Sequence, residues 1–110
     1  DGVRAEAKRL FAEGITLYRQ GTAASLRQAI EKWQEALKLY QKIDDKKSQA
    51  TALNNIGHVY DRLGDKQQAL KFYNQSLPLY IEVGDKSGQA GSLNNIGHVY
   101  SSLGDKTEAL

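Results

Sequence analysis

Residues 51–70 read TALNNIGHVYDRLGDKQQAL, and residues 91–110 read GSLNNIGHVYSSLGDKTEAL. Fourteen of these twenty positions are identical at an offset of 40 residues, which chance does not produce. The chain is therefore built from a repeated unit. Repeats with a period of roughly 20–50 residues are typical of solenoids and related arrays, in which each unit buries its apolar face against its neighbours.

A more diverged copy of the unit precedes these two. Its second half matches the second copy at an offset of 40 residues, and its first half matches that copy at an offset of 43 residues. The first copy therefore has three extra residues between its halves. We expect them in a longer loop near residues 21–24. The sequence thus predicts one domain over residues 1–110, with units at 4–43, 44–83 and 84–110, the last of them truncated.

Each unit is predicted to form two amphipathic helices, because apolar residues recur at spacings of three and four in two stretches. Gly64 suits the left-handed position that ends a helix. Asp65 suits the cap of the next helix, with Gln68 completing a capping box. The same cap is expected from Ser25 with Gln28 and from Asp105 with Glu108. The predicted helices are residues 3–20, 25–43, 46–63, 66–82 and 86–103, followed by a stub from 106.

Three residues are expected to shape how these helices pack. Gly57 and Gly97 have no Cβ, so each predicts a close approach by a neighbouring helix. Pro78 falls inside the fourth helix, where it removes one backbone hydrogen bond. We therefore expect a bend or an early end of the helix there.

The composition argues against several classes of function. Cysteine is absent, which excludes a disulfide framework and thiolate chemistry. A net charge of +2 without clustered basic residues predicts no nucleic-acid partner, and no apolar run is long enough to predict a membrane partner. The chain begins at Asp1 and shows no signal peptide, so we expect an excised fragment and, as the compartment, the cytoplasm.

No arrangement of residues in the sequence predicts catalysis. The one adjacent acidic pair, Asp44-Asp45, falls in a predicted turn between units, where a catalytic pocket is not expected. Each of the last two units has a single histidine, which is too few for a typical metal site. We therefore expect a protein that is not an enzyme and that holds no metal or cofactor.

The repeat resembles the tetratricopeptide repeat. In the second unit the residues that carry the resemblance are Leu53, Ile56-Gly57, Tyr60, Ala69, Tyr73 and Ser76. The resemblance implies an all-α fold, a right-handed α-solenoid of antiparallel helix pairs with a concave and a convex face. The 40-residue period is similar to the long repeats of kinesin light chains and spindle-orientation scaffolds, and most similar to those of bacterial proteins with a caspase-like CHAT protease domain.

The resemblance also implies which residues line the concave groove, since the first helix of each pair faces it. They are Phe11, Ile15 and Arg19 in the first unit, Asn54, Asn55, His58 and Arg62 in the second, and Asn94, Asn95 and His98 in the third. Asparagine can both donate to and accept from a peptide backbone. The alternative is that the asparagines brace neighbouring helices and that the histidines are merely solvated.

These residues favour a non-catalytic interaction scaffold that binds a peptide segment or a partner protein in the groove. The carboxylate clamp of some family members is matched only at Asn55. Ile15 stands where the clamp has an asparagine, and Gly91 and Asn95 replace its basic pair. We therefore expect an internal peptide stretch or a folded partner. The alternatives are a structural spacer or oligomerisation module, or a regulatory arm of a larger bacterial signalling or caspase-like protease protein.

The truncated third unit suggests a further property. Its first helix lacks most of the second helix that would cover it, so apolar side chains would be exposed. The residues concerned are Ile96, Tyr100, Leu103 and Leu110. We expect self-association through this C-terminal end, or a third unit that is loosely held.

Overall fold

The computed structural model describes residues 2–108, the last four by the course of the backbone alone. The helices, in chain order, are α1 (Gly2–Gln20), α2 (Ala23–Lys42), α3 (Lys46–Arg62), α4 (Lys66–Glu82) and α5 (Lys86–Glu108). No strand occurs within residues 2–108. Helices α1 and α2 pack as one antiparallel pair and α3 and α4 as the next, while α2 packs on α3 and α4 on α5. The predicted all-α solenoid of helix pairs is confirmed.

The turns after α2, α3 and α4 share one backbone geometry. After α3, Gly64 has a φ of 87°, and the Asp65 N–H donates to the Tyr60 carbonyl at 2.9 Å. This is the long hydrogen bond of a Schellman motif. The corresponding left-handed positions are Asp44, with a φ of 55°, and Gly84, with a φ of 72°. Asp tolerates this conformation better than most residues, so the predicted helix stops are confirmed at these turns.

The residue after each left-handed position caps the next helix. The Asp65 carboxylate accepts from the Gln68 N–H at 3.2 Å, as expected. In the first unit, however, the cap is Thr22, which exchanges two hydrogen bonds with Ser25. The prediction that Ser25 is itself the cap is therefore wrong. Because α2 begins at Ala23, the three extra residues add a turn to its start, giving it 20 residues against 17 in α4.

The early end of α4 expected at Pro78 does not occur. The helix continues through Pro78 to Glu82, the end of its predicted range, since the tertiary contacts of buried Tyr80 hold its last turn in place. One predicted helix end is wrong. Helix α5 continues through Gly104 to Glu108, so no cap forms at Asp105. The backbone groups of residues 105–108 find partners within α5 instead.

The two helices of each pair meet where a glycine faces an aromatic ring. A Cβ on Gly57 would lie 2.8 Å from the Tyr73 ring, and Tyr73 is fully buried. Gly14 faces the buried ring of Trp33 in the same way. The close approach predicted at Gly57 is therefore confirmed. The one predicted at Gly97 is wrong, because no atom lies within 4 Å of the corresponding Cβ position and no second helix packs there.

This difference predicts opposite outcomes for the same substitution. Gly57→Ala should lower the free energy of unfolding by about 1–3 kcal/mol, because the new methyl group overpacks a filled interface. Gly97→Ala is the matched control and should raise it by up to about 1 kcal/mol, because alanine is the better helix former. Urea denaturation followed by circular dichroism measures both values. Equal effects at the two positions would contradict the packing described.

Candidate functional site

A concave pocket of about 300 Å³ lies between α1 and α3, and we call it the α1–α3 pocket. Its lining residues are Ile15, Tyr18 and Arg19 from α1, Trp33 from α2, and Asn55 and His58 from α3. Four of the six are residues that the sequence placed in the groove. The repeat geometry thus brings side chains that are 40 residues apart in sequence to one surface.

Trp33 forms the floor of the α1–α3 pocket. Its side chain is 3% exposed, and its indole N–H donates to the Phe11 carbonyl at 3.0 Å. The rings of Phe11 and Tyr18 each lie 6.0 Å from the indole, centroid to centroid. Trp33 belongs to the hydrophobic core, and the same side chain also reaches the pocket. The floor is therefore a fixed aromatic surface.

Two arginines give the rim of this pocket a positive charge. Arg19 lines the pocket, and the Arg62 guanidinium lies 4.9 Å from the centroid of the Tyr18 ring in a cation–π arrangement. Among the described residues, neither guanidinium forms an ion pair with a carboxylate. Both charges therefore remain available to an acidic group of a ligand.

The two histidines have different surroundings. The His58 ring lies 5.7 Å from that of Tyr18, and partial burial lowers the pKa of His58. The positive charges of Arg62 and His98 act in the same direction, whereas Asp61 opposes them. His98 is 71% exposed, and its Nε2 lies 4.0 Å from the Asp61 carboxylate. His58 thus belongs to the pocket, while His98 lies on the solvated surface beside it.

The predicted asparagine rows divide between two roles. Asn54 accepts from Asn95 at 3.2 Å and from the Ser92 hydroxyl at 3.4 Å. Ser92 in turn shares a hydrogen bond of 2.9 Å with the fully buried Ser76 hydroxyl. Asn54 and Asn95 therefore brace α3, α4 and α5, as in the alternative interpretation of the sequence. Asn55 lines the pocket, and Asn94 is exposed.

A second pocket, of about 180 Å³, also lies against α1 and α3. We call it the Phe11 pocket, and it is lined by Phe11, Tyr40, Lys47, Ser48 and Thr51. Its hydroxyl groups already have partners, since Thr51 donates to the Lys47 carbonyl at 3.1 Å and Ser48 to Asp45 at 2.8 Å. The pocket therefore offers an apolar surface with the Lys47 amine at its edge.

Sequence reasoning missed Tyr18, which lines the α1–α3 pocket, and Asp61, which acts electrostatically on His58 of that pocket. They occupy equivalent positions at the 43-residue offset, directly before Arg19 and Arg62, so the repeat contained the signal. Asp61 is 12% exposed and forms an ion pair with Lys66. Burial raises the pKa of Tyr73, and Asp61 and Tyr18 add to this effect. A titratable cluster therefore lies beside the α1–α3 pocket.

Two further observations limit what this surface can hold. Within residues 2–104, whose side chains are described, no group of three histidine or acidic side chains is placed to bind a metal ion. None of the five helices, as far as they are described, combines the length and apolar character that a membrane span requires.

The surroundings of His58 predict how it titrates. Its pKa in the folded protein should lie below the ordinary value of 6.5. The unfolded chain then binds the His58 proton more readily than the folded protein does. The contribution of neutral His58 to the free energy of unfolding is therefore complete above pH 6.5 and is lost as the pH falls through 6.5 towards the lower pKa of the folded protein. NMR titration of the two histidine rings, assigned with His98→Gln, measures the pKa. Arg62→Gln should raise the pKa of His58, because it removes a nearby positive charge, whereas the exposed control Arg27→Gln should leave that pKa unchanged. A His58 pKa at its ordinary value in the wild type would contradict the surroundings described.

Comparisons with known proteins agree with this architecture. A family model described as tetratricopeptide repeat matches residues 14–82, and a second model with the same description matches residues 89–110. The crystal structure of the TPR domain of Arabidopsis FLU has a TM-score of 0.83 and 22% sequence identity to this chain. The match covers 94% of this chain and 84% of that one, and at this identity it shows the fold alone. A search of curated proteins found no match.

Proposed function

Because this chain belongs to the tetratricopeptide repeat family, whose domains mediate protein–protein interactions, we propose that its concave groove binds a peptide segment or a partner protein. The observation that carries this proposal is the α1–α3 pocket. It joins an aromatic floor to a rim whose two arginines have no carboxylate partner among the described residues. Repeats of this family typically serve as non-catalytic scaffolds, and we propose the same role for this chain.

The size and chemistry of the pocket support a protein ligand. Its volume of about 300 Å³ is at the lower end for ligand pockets, so it suits one or two side chains of a partner. Ile15 and Trp33 provide apolar contact for such a side chain. Asn55 can donate and accept hydrogen bonds, and it is placed to bond with the backbone of the ligand or with a neighbouring polar side chain of the ligand.

A charge reversal at the rim tests the proposal. Peptides are selected from a random display library on the wild-type protein, and their affinity is measured by the fluorescence of Trp33, the only tryptophan in the chain. Arg19→Glu should weaken binding about tenfold, because a charged hydrogen bond is replaced by repulsion. Arg27→Glu, an exposed position on α2, should leave it unchanged. Equal affinity for both variants, or no selectable peptide, would overturn the proposal.

The exposed face of α5 supports self-association as a second candidate function. Leu93 and Tyr100 are 56% and 58% exposed. Leu53, the counterpart of Leu93 in α3, is only 5% exposed, because it belongs to a core cluster with side chains of α2 and α4. Leu110, which the sequence also placed on this surface, lies outside the described residues. Leu93 and Tyr100 therefore form an exposed apolar surface that a second copy of the chain can cover. Ile96 and Leu103, which the sequence also placed there, are instead partly buried against the core cluster that contains Val99.

Sedimentation velocity over a range of protein concentrations tests this second candidate. The wild-type chain should associate more as its concentration rises, and Leu93→Lys should shift it towards monomer because a charge is placed within the apolar face. Ile81→Lys is the matched control, since Ile81 is equally exposed but lies on α4. A wild-type chain that stays monomeric throughout would count against self-association.

A further inference from the structure

We infer that the segment bound in the groove is an amphipathic α-helix with two apolar anchor residues seven positions apart and an acidic residue near one of them. This inference rests on the proposed function and adds the conformation and the sequence pattern of the partner. It follows from the relative position of the two pockets, from the hydrogen-bonding groups that the groove leaves free, and from its charge.

The two pockets lie along the same pair of helices at matching intervals. On α3, Thr51 lines the Phe11 pocket and His58 lines the α1–α3 pocket. On α1, Phe11 and Tyr18 mark the same two places. The separation is seven residues on each helix, or about 10 Å at a rise of 1.5 Å per residue. A single ligand that fills both pockets must therefore present two side chains about 10 Å apart on one face.

An α-helix meets this requirement and a β-strand does not. Residues seven apart in a helix lie on nearly the same face, about 10 Å from each other. In a strand, side chains on one face recur every second residue, at about 7 and then 13 Å. A strand residue three positions away spans about 10 Å, but its side chain points to the opposite face.

A polyproline II segment is the remaining competitor, because residues three apart share a face at about 9 Å. Such a segment makes no internal hydrogen bonds, so its amides and carbonyls require water or groove side chains as partners. The Asn54 carbonyl is already occupied by Ser92 and Asn95. Among the described residues that line the α1–α3 pocket, Asn55 is the only one with a side-chain amide. A helix satisfies its own backbone and needs no such partners, which favours it here.

The distribution of charge in the groove indicates where the bound peptide carries its acidic residue. Arg19 and Arg62 lie at the α1–α3 pocket without carboxylate partners among the described residues. At the other end, the Lys47 amine already lies 3.9 Å from the Asp85 carboxylate. The positive charge that remains unpaired is thus at one end, and an acidic residue within one helical turn of the α1–α3 anchor complements it.

The experiment is a selection on the intact chain from a display library of random peptides of about 18 residues, five helical turns. Selected peptides should carry two large apolar residues seven apart and an acidic residue within one turn of one of them. Their helicity by circular dichroism should rise on binding. Replacing either anchor by alanine should weaken binding about tenfold, because one buried apolar side chain is lost.

A pair of threonine variants tests whether both pockets are filled. Thr51→Lys puts a long side chain into the Phe11 pocket and should lower the affinity for a two-anchor peptide about tenfold. It should not change the affinity for a peptide that already lacks the anchor for this pocket. Thr16→Lys is the matched control, because Thr16 also donates to the carbonyl four residues earlier but is exposed on α1. It should change neither affinity.

The outcomes separate this inference from the function on which it rests. Selected peptides can bind the wild type, lose affinity for Arg19→Glu, and yet have prolines with anchors three apart or anchors that alternate as in a strand. Such peptides would support groove binding but would contradict the inference that the bound segment is a helix. Equal effects of Thr51→Lys and Thr16→Lys also overturn it. The absence of any peptide sensitive to Arg19→Glu overturns the proposed function itself.

Discussion

The packing of an aromatic ring against a glycine of the preceding helix is the constraint on which this structure depends. Trp33 lies on Gly14 and Tyr73 lies on Gly57, each where two helices of a pair cross. With a Cβ at either glycine, the pair would have to separate. The contact therefore fixes the distance between the helices of a pair. Since Trp33 is also the pocket floor, the same contact sets the depth of the groove.

Much of the fold could be predicted from the sequence because the repeat shows each local signal more than once. The left-handed position and the capping aspartate recur at Gly64-Asp65 and Gly84-Asp85. The pair predicted at Gly64-Asp65 is confirmed. The errors occur where a signal was ambiguous or depended on distant contacts. Thr22 and Ser25 are both good caps, and the sequence alone could not rank them. The Gly104 position remains helical because the end of a helix depends on what packs after it.

The candidate site was predictable only in part, for a similar physical reason. Ile15, Arg19, Asn55 and His58 were placed in the groove by their positions in the repeat, and they do line one pocket. The hydrogen bond between Asn54 and Asn95 joins side chains 41 residues apart. It depends on the rotation of α5 relative to α3, which periodicity does not specify. Nothing in the sequence distinguished the asparagines of the brace from Asn55 of the pocket.

The two junctions between units differ in chemistry. At the first, Ala36 and Ala52 are fully buried; at the second, Ser76 and Ser92 take their places and join to Asn54. Alanine contacts have no preferred direction, so small sliding movements change their energy little. Each hydroxyl, by contrast, would cost about 1–3 kcal/mol if it were buried without a partner. The second junction therefore favours one alignment of α5, because any other alignment leaves these hydroxyl groups buried without hydrogen-bond partners.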